Sequence, residues 1–546
     1  AAKRVFLQGG NAIDAGIAAA LTLAVVEPYN SGLGGGGMAL LWDGQKKKAH
    51  AIDFREKAPL KAQSDLYLKE GIDPKASTQG PLAIAMPGEV AGLAYLHQKW
   101  GKLPWKELFK EAIHYAETGF IPDQVFMDRV ENRRDCLIRD YHTYQIFRPL
   151  LQTKSDISLN GDPNAPKNSI NLPKVEKVPL WTQKDLANTL KTLRDYGAES
   201  FYQGTLGGLW LGGLKDKGAI LESEDLSSYQ VLERKALKSR FEWGQVWGMP
   251  LPSSGGTSLI RALNTLESLQ LSPSTEAKRL DQFIQVLGRI FKDRNESMGD
   301  DDFVKKIPIK KWIRKSFAKK EAQAIIQNSD LSSQKRLKEN QFKEAGTGHT
   351  SHLSVLDQEG NALSLTLSLN LSFGSCVTAG KSGVLMNNQM DDFSTHPGQA
   401  NAFGLVQSTA NAIAPGKRPL SSITPTIITQ DKVPILALGS PGGPRIITSV
   451  LQVLYRHYFL KQDLKSAIAS PRLHYQDKPK VVFLEKNIPQ DLENFLKDLG
   501  YLTKREETWS NVQAVTYDPQ QKSFRSFSDP RGIGQALVVQ AKAKDE

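Results

Sequence analysis

Cysteine is scarce in this chain: Cys136 and Cys376 are its only two among 546 residues. Two cysteines cannot build a disulfide framework or a zinc site of the paired-cysteine kind, and they form at most one disulfide. Long apolar runs are missing as well. The longest one, Ala15 to Val26, has 12 residues and stops at Glu27-Pro28, whereas a helix that crosses a bilayer needs about 20 residues. We therefore expect a buried helix there and no membrane span.

The composition is that of a globular protein, with 40% apolar, 8% aromatic and 23% charged residues. It excludes a disordered tail and a collagen-like fibre, and the length requires two domains or one large layered body. The net charge of +12 is partly local, because the run from Lys305 to Lys320 carries eight cationic side chains and no acid. No nucleic-acid motif accompanies this run, so we interpret it as a solvated surface and expect no nucleic-acid partner.

Local patterns predict the order of the elements. Asn11 is placed to cap a helix over Ala12 to Val26, and the glycine-rich segment Asn30 to Gly37 predicts a tight loop that leads into a strand at Met38. Helical patterns prevail from Pro104 to Leu214. Further predicted elements are a helical region Leu259 to Ile290, strands Pro434 to Gly439 and Val481 to Leu484, and a helix Ile446 to Tyr458.

The composition of the sequence changes near residue 330. Asn328 to Gly348 is polar and poor in apolar residues, which indicates an exposed linker that proteases can reach. Beyond it, His352 to Leu356 and Ala362 to Leu369 alternate between apolar and polar residues with period two. This alternation predicts a β-hairpin with a buried apolar face.

Thr350 stands between the polar segment and the predicted hairpin. A threonine hydroxyl is a weak nucleophile, but cleavage before Thr350 would give the same residue a free α-amine. That amine has a pKa of about 7.7 to 8.0 and can accept the hydroxyl proton. A threonine that merely begins a strand fits the pattern too, so the residues alone leave both interpretations open.

Three polar segments could complete such a site. Gly442 and Gly443 offer backbone amides to an oxyanion, although a plain glycine turn has the same sequence. Asn387 to Asp392 is dense enough in amides and carboxylates to bind an ammonium group, or to form a capped turn. Pro419 to Ser422 offers hydroxyls and amides to a carboxylate.

Nucleotide binding is excluded at the one segment that suggests it. Gly380-Lys381-Ser382 looks like the end of a phosphate-binding loop, but five residues separate Gly374 from Gly380 where that motif has four. We expect neither a cofactor nor a metal.

Taken in order, these motifs resemble those of the γ-glutamyltranspeptidase family over nearly the whole chain. The motifs similar to its large subunit are Gln8 to Ala15, Val26 to Pro28, Ser31 to Gly37, Asp53 to Glu56, Pro87-Gly88 and Pro252 to Gly256. The motifs similar to its small subunit are Thr350 to His352, Asn387 to Phe393, Lys417 to Ser422, Ser440 to Gly443 and Ser528 to Arg531. So many motifs in one order are far more specific than any single one of them.

The resemblance implies an α/β fold, namely the four-layer αββα sandwich of the N-terminal nucleophile hydrolases. It implies a precursor cleaved between His349 and Thr350 into a large subunit, 1–349, and a small subunit, 350–546, which interleave as a heterodimer. The implied activity moves the γ-glutamyl group of glutathione and similar compounds to water or to the amine of an amino acid or peptide. The relatives are periplasmic or secreted, so the same location is expected here.

The resemblance also assigns roles within the site. Thr350 would be the nucleophile, and Ser368 would assist its amine where bacterial members often have threonine. The remaining implied roles are the oxyanion amides of Gly442 and Gly443, a carboxylate grip by Arg55 with Ser421 and Ser422, and an ammonium site of Asp392 with Asn370 and Gln389. Phe403, within His396 to Ala412, stands where a lid tyrosine is common, which leaves the balance between water and amine acceptors open.

Two alternatives remain at the level of sequence. A related enzyme of the same fold could act on the side chain of a β-lactam or on poly-γ-glutamate, although Arg55 and Asp392 suit an amino-acid head better. A non-catalytic homologue could instead use the positive charge to bind polyanions, but every position with a chemical role is filled.

Overall fold

Two antiparallel sheets stacked face to face form the centre of the molecule. The computed structural model describes residues 1–151, 178–269, 275–330 and 349–540. In these ranges the strands are β1 (Gly36–Asp43), β2 (Lys48–Phe54), β3 (Leu232–Arg234), β4 (Leu237–Phe241), β5 (Gly244–Gly248), β6 (His349–Leu356), β7 (Ala362–Asn370), β8 (Thr426–Gln430), β9 (Val433–Gly439), β10 (Leu473–His474), β11 (Val481–Glu485), β12 (Leu502–Glu506), β13 (Gln513–Asp518) and β14 (Ser523–Ser528).

Each large sheet combines strands from both sides of residue 350. The first sheet has the order β3-β2-β1-β7-β6 and the second has the order β14-β13-β9-β8-β5-β4. A third, small sheet has the order β10-β11-β12. Because β7 lies between β1 and β6, the chain segment after residue 350 completes a sheet that the earlier segment begins.

Helices cover the outer face of each large sheet. They are α1 (Ala2–Leu7), α2 (Ala12–Val26), α3 (Glu89–Trp100), α4 (Lys110–Thr118), α5 (Gln124–Asn132), α6 (Arg134–Leu137), α7 (Tyr141–Leu151), α8 (Lys184–Tyr196), α9 (Glu199–Tyr202), α10 (Gly204–Lys215), α11 (Ser223–Ser227), α12 (Gly255–Ser268), α13 (Glu276–Ser297), α14 (Ile309–Trp312), α15 (Lys315–Asp330), α16 (Arg445–Leu454), α17 (Leu464–Ala469) and α18 (Gln490–Asp498). A π-helical turn, Tyr455–Phe459, extends α16.

Three apolar layers hold the sandwich together. Between the sheets, Met38 and Leu40 of β1 belong to one cluster with Ile427 of β8. Outside the first sheet, apolar residues of β7 pack against α2, and outside the second sheet apolar residues of β8 and β9 pack against α12, α13 and α16. Each sheet therefore buries both faces, and the predicted αββα arrangement is confirmed.

The cap predicted at Asn11 is present. Its Oδ1 accepts hydrogen bonds of 3.0 Å from the amides of Ile13 and Asp14, and α2 spans the predicted range Ala12–Val26. Eleven of its residues are buried, which explains why the run is apolar on nearly all sides although the helix is too short to cross a membrane. In the described ranges no helix has the length and apolar content that a bilayer crossing requires.

The predicted hairpin is formed by β6 and β7, whose register pairs Thr350 with Ser368. The expectation of a single buried face was incomplete, because every residue of β7 is buried. Its serine and threonine side chains face the second sheet, where Ser364 Oγ donates a 3.0 Å hydrogen bond to the carbonyl oxygen of Leu438. The alternation therefore directs a polar row, which includes Ser368, into the interior.

The other predicted elements have mixed outcomes. The strands β9 and β11 and the helix α16 are confirmed. Residues 331–348 of the predicted linker lie outside the described residues, and α15 continues to Asp330, so the first part of that segment is helical. The basic run lies on α14 and the start of α15, and most of its cationic side chains are exposed.

Cys136 and Cys376 form a disulfide. Both are buried in an aromatic cluster that includes Phe147, Trp181 and Phe373.

Candidate active site

The residues proposed from the sequence meet in one cavity that is partly open to solvent. It lies where β2, β6, β7 and the loops around β8 and β9 come together. Those that line it are Arg55, Thr350, Ser368, Asn370, Gln389, Asp392, Ser421, Ser422 and Gly443. Gly442 is not among the lining residues but directly precedes Gly443. The wall also contains Arg294, Phe403 and Leu405.

The hydroxyl groups of Thr350 and Ser368 are in contact across the hairpin. Thr350 Oγ1 lies 3.1 Å from Ser368 Oγ, which donates a 3.2 Å hydrogen bond to the carbonyl oxygen of His349. The amide of Asn370 donates to Ser368 Oγ at 2.9 Å and fixes its position. The pair of hydroxyls thus lies beside the carbonyl of the His349–Thr350 peptide bond.

His349 is buried, and its imidazole is neutral at physiological pH. Burial lowers its pKa to about 3, and the positive charges of Arg129 and Arg133 act in the same direction. His349 therefore adds no positive charge next to the hydroxyls of Thr350 and Ser368.

The glycine-rich loop Asn30 to Gly37 packs closely against the strand that carries Ser368, and Gly35 permits this close approach. A Cβ atom on Gly35 would lie 2.3 Å from the carbonyl oxygen of Ser368, a distance that no side chain tolerates. The loop therefore packs directly on the backbone of the strand that carries Ser368.

Gly442 and Gly443 form the turn between β9 and α16. Both have positive φ, +126° and +57°, in which glycine is favoured. Neither amide donates a hydrogen bond to any of the residues that the structure describes. Two neighbouring amide hydrogens without acceptors, one of them in the cavity wall, can stabilise an oxyanion that develops nearby.

Arg55 and Asp392 form an ion pair in the cavity wall. Arg55 Nη2 donates to Asp392 Oδ2, and Gln389 Nε2 donates to the same oxygen at 2.7 Å. On its other side, Arg55 Nη1 lies 3.4 Å from Glu56 Oε2. The cavity therefore presents a cation and an anion side by side, a pair of charges that matches a zwitterionic amino-acid head.

A buried network fixes the backbone of Arg55. Asp53 is fully buried and accepts hydrogen bonds from Arg418 Nη1 at 3.0 Å, from Arg234 Nε at 2.7 Å and from the amide of Arg55 at 2.9 Å. Arg418 Nη1 also donates to the carbonyl oxygen of Arg55 at 2.8 Å. Several charge-assisted hydrogen bonds thus hold Arg55 in its place.

The segment 250–256 supports the two serines at the opposite wall. The amide of Ser421 donates to the carbonyl oxygen of Pro252 at 2.8 Å, and the amide of Ser254 donates to that of Ser421 at 2.9 Å. Ser421 Oγ accepts from the amide of Ile423 at 3.1 Å, and Ser422 Oγ accepts from Arg294 Nη2 at 3.1 Å. In the described part of the chain neither hydroxyl donates a hydrogen bond, so both are free to donate to an anion in the cavity.

Asn370 and Phe403 complete the wall. Asn370 has a φ of +82°, and its Nδ2 donates to the carbonyl oxygen of Asn388 at 3.0 Å. The ring of Phe403 is buried and lies against Gly443. The lid-like segment His396 to Ala412 therefore places an apolar ring, which has no hydroxyl, beside the turn of Gly442 and Gly443.

Sequence reasoning missed Arg294 in this wall. It lies on α13, whose alternating charged and apolar residues gave no signal that one arginine points into a site. Sequence reasoning also gave no role to two buried carboxyls, that of Glu56 beside Arg55 and that of Glu89, which interacts with Glu56. For Glu56, the sequence signal was its place in the motif Asp53 to Glu56, directly after Arg55.

Comparison with known proteins identifies the family. The sequence model described as gamma-glutamyltranspeptidase matches residues 1–539. The chain belongs to the γ-glutamyltranspeptidase family. It is 34% identical to the Escherichia coli protein named glutathione hydrolase proenzyme, over 97% of this chain and 88% of that one.

Solved structures agree with this placement in the γ-glutamyltranspeptidase family. The gamma-glutamyltranspeptidase of Helicobacter pylori is 34% identical, with a TM-score of 0.53 over 59% of this chain and 88% of that chain. The cephalosporin acylase of Bacillus halodurans has a TM-score of 0.81 over 99% of this chain and 94% of that chain, at 22% identity. The second likeness concerns the fold alone.

The two carboxyls behind Arg55 are protonated more readily than usual. Burial raises the pKa of Glu56 to about 7 and that of Glu89 to about 8, and the Glu56 carboxylate contributes to the second shift. Between the ordinary pKa near 4.5 and these values the folded protein binds more protons than the unfolded chain. Stability is therefore expected to fall as the pH rises through this window.

The variant Glu89→Gln tests this expectation because glutamine fills the same space and does not titrate. Relative to the wild type, its free energy of unfolding should increase from about pH 5 to about pH 8, by at most about 1.4 kcal/mol for each pH unit. Urea unfolding at both pH values measures the difference. If the two proteins change in parallel with pH, Glu89 is ionised in the folded state and the expectation is wrong.

Proposed function

We propose that this chain is a γ-glutamyltransferase and glutathione hydrolase that activates itself by cleavage between His349 and Thr350. The observation that carries the proposal is the single cavity that holds the Thr350 hydroxyl together with the Arg55–Asp392 ion pair. Membership of the family supports it, as does the name of the E. coli relative, a glutathione hydrolase proenzyme.

Maturation begins at the scissile carbonyl. Thr350 Oγ1 bonds to the carbonyl carbon of His349, the C–N bond breaks, and the hydroxyl proton passes to the departing nitrogen. The amide thereby becomes an ester with a free amine on Thr350. Water then hydrolyses this ester and leaves a carboxylate on His349. The hydrogen bond from Ser368 Oγ to the carbonyl oxygen supports the step, because it stabilises the negative charge that develops there. The products are a large subunit, 1–349, and a small subunit, 350–546.

In the mature enzyme the same hydroxyl attacks the substrate. The new α-amine of Thr350 accepts the hydroxyl proton, and the γ-carbonyl carbon of the donor becomes bonded to Thr350 Oγ1. The amides of Gly442 and Gly443 stabilise the oxyanion. The amine of the leaving group takes the proton and departs, and the γ-glutamyl ester passes to water or to the amine of an amino acid or peptide.

The charges of the cavity select the donor. Its α-carboxylate would bind Arg55 with the free hydroxyls of Ser421 and Ser422, and its α-ammonium would bind Asp392 with Asn370 and Gln389. The substrate would thus replace the Arg55–Asp392 contact by two separate charge-assisted contacts. A head fixed at both charges places the γ-carbonyl over Thr350 and leaves the rest of the donor outside.

A location outside the cytoplasm, periplasmic or secreted, belongs to the same proposal. It is supported by the Cys136–Cys376 disulfide, because disulfides persist mainly in oxidising compartments.

The alternative functions are less well supported. An acylase of β-lactam side chains shares the fold, but it has no need of a site for an α-ammonium group, and a polyanion-binding protein has no need of the cavity.

The maturation step is tested by the mass of the purified protein under reducing conditions. The wild type should separate into two chains, whereas Thr350→Ala should remain one chain because it lacks the hydroxyl. Ser368→Ala should be cleaved at least about tenfold more slowly. Thr366→Ala is the matched control, since it removes a hydroxyl from the same face of β7 and should be cleaved normally. An uncleaved wild type would overturn the maturation proposal.

Donor recognition is tested with two chromogenic amides. The kcat/KM for γ-glutamyl-p-nitroanilide should exceed that for glutaryl-p-nitroanilide, which lacks the α-amine, by about 100-fold or more, because the second donor leaves the Asp392 carboxylate without its ammonium partner. Asp392→Asn should reduce this preference. Equal turnover of both donors by the wild type would favour the acylase alternative.

A further inference from the structure

Arg294 is a buried cation whose contacts distinguish it from the other buried arginines near the site. Its side chain is 1% exposed, and in the described part of the molecule no carboxylate lies within ion-pair distance of it. Arg55 and Arg418 near the cavity, and Arg261 away from it, each pair with a buried carboxylate by contrast. The Asp392 carboxylate, which also lines the cavity, stabilises the charge of Arg294 only from beyond ion-pair distance. A buried charge without a contacting counter-ion costs free energy, so such an arrangement indicates that an anion belongs nearby.

The hydrogen bonds of Arg294 converge on the serine wall of the cavity. Nε donates to Ser254 Oγ at 3.1 Å, Nη1 donates to Asn295 Oδ1 at 3.0 Å, and Nη2 donates to Ser422 Oγ at 3.1 Å. Arginine has no acceptor atom, so the bond to Ser422 uses a lone pair of that hydroxyl and leaves its hydrogen available. The hydrogen of Ser422 is therefore directed away from Arg294 and is available to an anion in the cavity.

We propose that Arg294 is a positioning residue for donor recognition: it fixes Ser422 as a hydrogen-bond donor to the α-carboxylate, which in turn supplies the anion that Arg294 lacks. This inference rests on the proposed function and deepens it. Arg55 grips the carboxylate from one wall, and Arg294 acts from the other wall through Ser422. Burial lowers the pKa of Arg294 to about 10, so it keeps its charge at neutral pH.

The test compares two donors that differ only at the α-carboxylate. One is γ-glutamyl-p-nitroanilide, and the other is its α-carboxamide counterpart, the γ-p-nitroanilide of isoglutamine. The ratio of their kcat/KM values measures discrimination for the carboxylate. A structural defect lowers both values together and leaves the ratio unchanged, whereas loss of the role proposed here lowers the ratio.

Arg294→Gln should lower the ratio by about tenfold or more, mainly through a higher KM for the carboxylate donor. Arg261→Gln is the matched control: Arg261 is 3% exposed and ion-paired to Glu321 and Asp293 away from the cavity, so its loss should leave the ratio unchanged. Arg294→Lys keeps the charge but cannot hold Ser254, Asn295 and Ser422 together, and it should also lower the ratio.

An unchanged ratio in folded Arg294→Gln, or in Arg294→Lys if the glutamine variant does not fold, overturns the role of Arg294 alone. A wild type that turns over both donors equally overturns the proposed recognition of the carboxylate and this role with it. The two failures are therefore distinguishable within one set of measurements.

A separate observation concerns the disulfide. Cys136 precedes the proposed cleavage site and Cys376 follows it, at a sequence separation of 240. Arg133 donates from Nη2 to both sulfur atoms, at 3.4 Å to Cys136 Sγ and 3.3 Å to Cys376 Sγ, and from Nε to the carbonyl oxygen of Ser372 at 3.1 Å. The bridge and Arg133 together attach the loop after β7 to helices α5 and α6.

From this connectivity we infer that the two subunits remain covalently joined after maturation. Denaturation with an alkylating agent, followed by electrophoresis with and without reductant, tests the inference. The wild type should run as one species without reductant and as two chains with it, and Cys136→Ser should give two chains under both conditions. Two chains from the wild type without reductant overturn the linkage alone, while a single chain with reductant overturns the proposed cleavage and therefore the linkage too.

Discussion

The contact between the hydroxyls of Thr350 and Ser368 is the interaction on which the rest of the site depends. It exists because β6 and β7 pair in a register that places these residues opposite each other, on the face of the first sheet that the second sheet covers. A shift of one residue would turn the Thr350 side chain to the helix-covered face. The interleaving of strands from both sides of residue 350 fixes this register, since β7 is held by β1 as well as by β6.

Electrostatics around this contact are arranged for a zwitterion. The Arg55–Asp392 pair compensates both charges, and Asp53 with Arg418 holds the backbone of Arg55 in place. The opposite wall is arranged differently, because the hydroxyls of Ser421 and Ser422 each accept one hydrogen bond and, among the described residues, donate none. Hydrogen-bond donors and a positive charge thus line the cavity from two sides, and under the proposed function they would select a donor with an α-carboxylate.

Much of this arrangement could be predicted from the sequence. The Asn11 cap and the period-two alternation of β6 and β7 are local signals, and they gave the helix and hairpin that the structure contains. Arg55, Asp392 and Gly443 were found because they lie in motifs with a fixed order, and the structure brings them into one cavity. Burial of the polar face of β7 could not be predicted, since alternation alone does not reveal a second sheet above it.

Arg294 shows the other limit of sequence reasoning. Its significance comes from the lack of a carboxylate within ion-pair distance among the described residues, and from contacts with residues more than 100 positions away, such as Ser422. No local pattern records either property. The same is true of Glu56 and Glu89, whose raised pKa values arise from burial next to each other in the folded chain.

The central claim is that the Thr350 hydroxyl carries the γ-glutamyl group during turnover. The direct measurement is an acid quench of mature enzyme during steady-state turnover of a γ-glutamyl donor, followed by digestion and mass spectrometry of the peptide that begins at Thr350. The account predicts that this peptide carries one γ-glutamyl group, which hydroxylamine removes as expected for an ester. A γ-glutamyl group on another residue, or turnover with the Thr350 amine still in peptide linkage to His349, would contradict it.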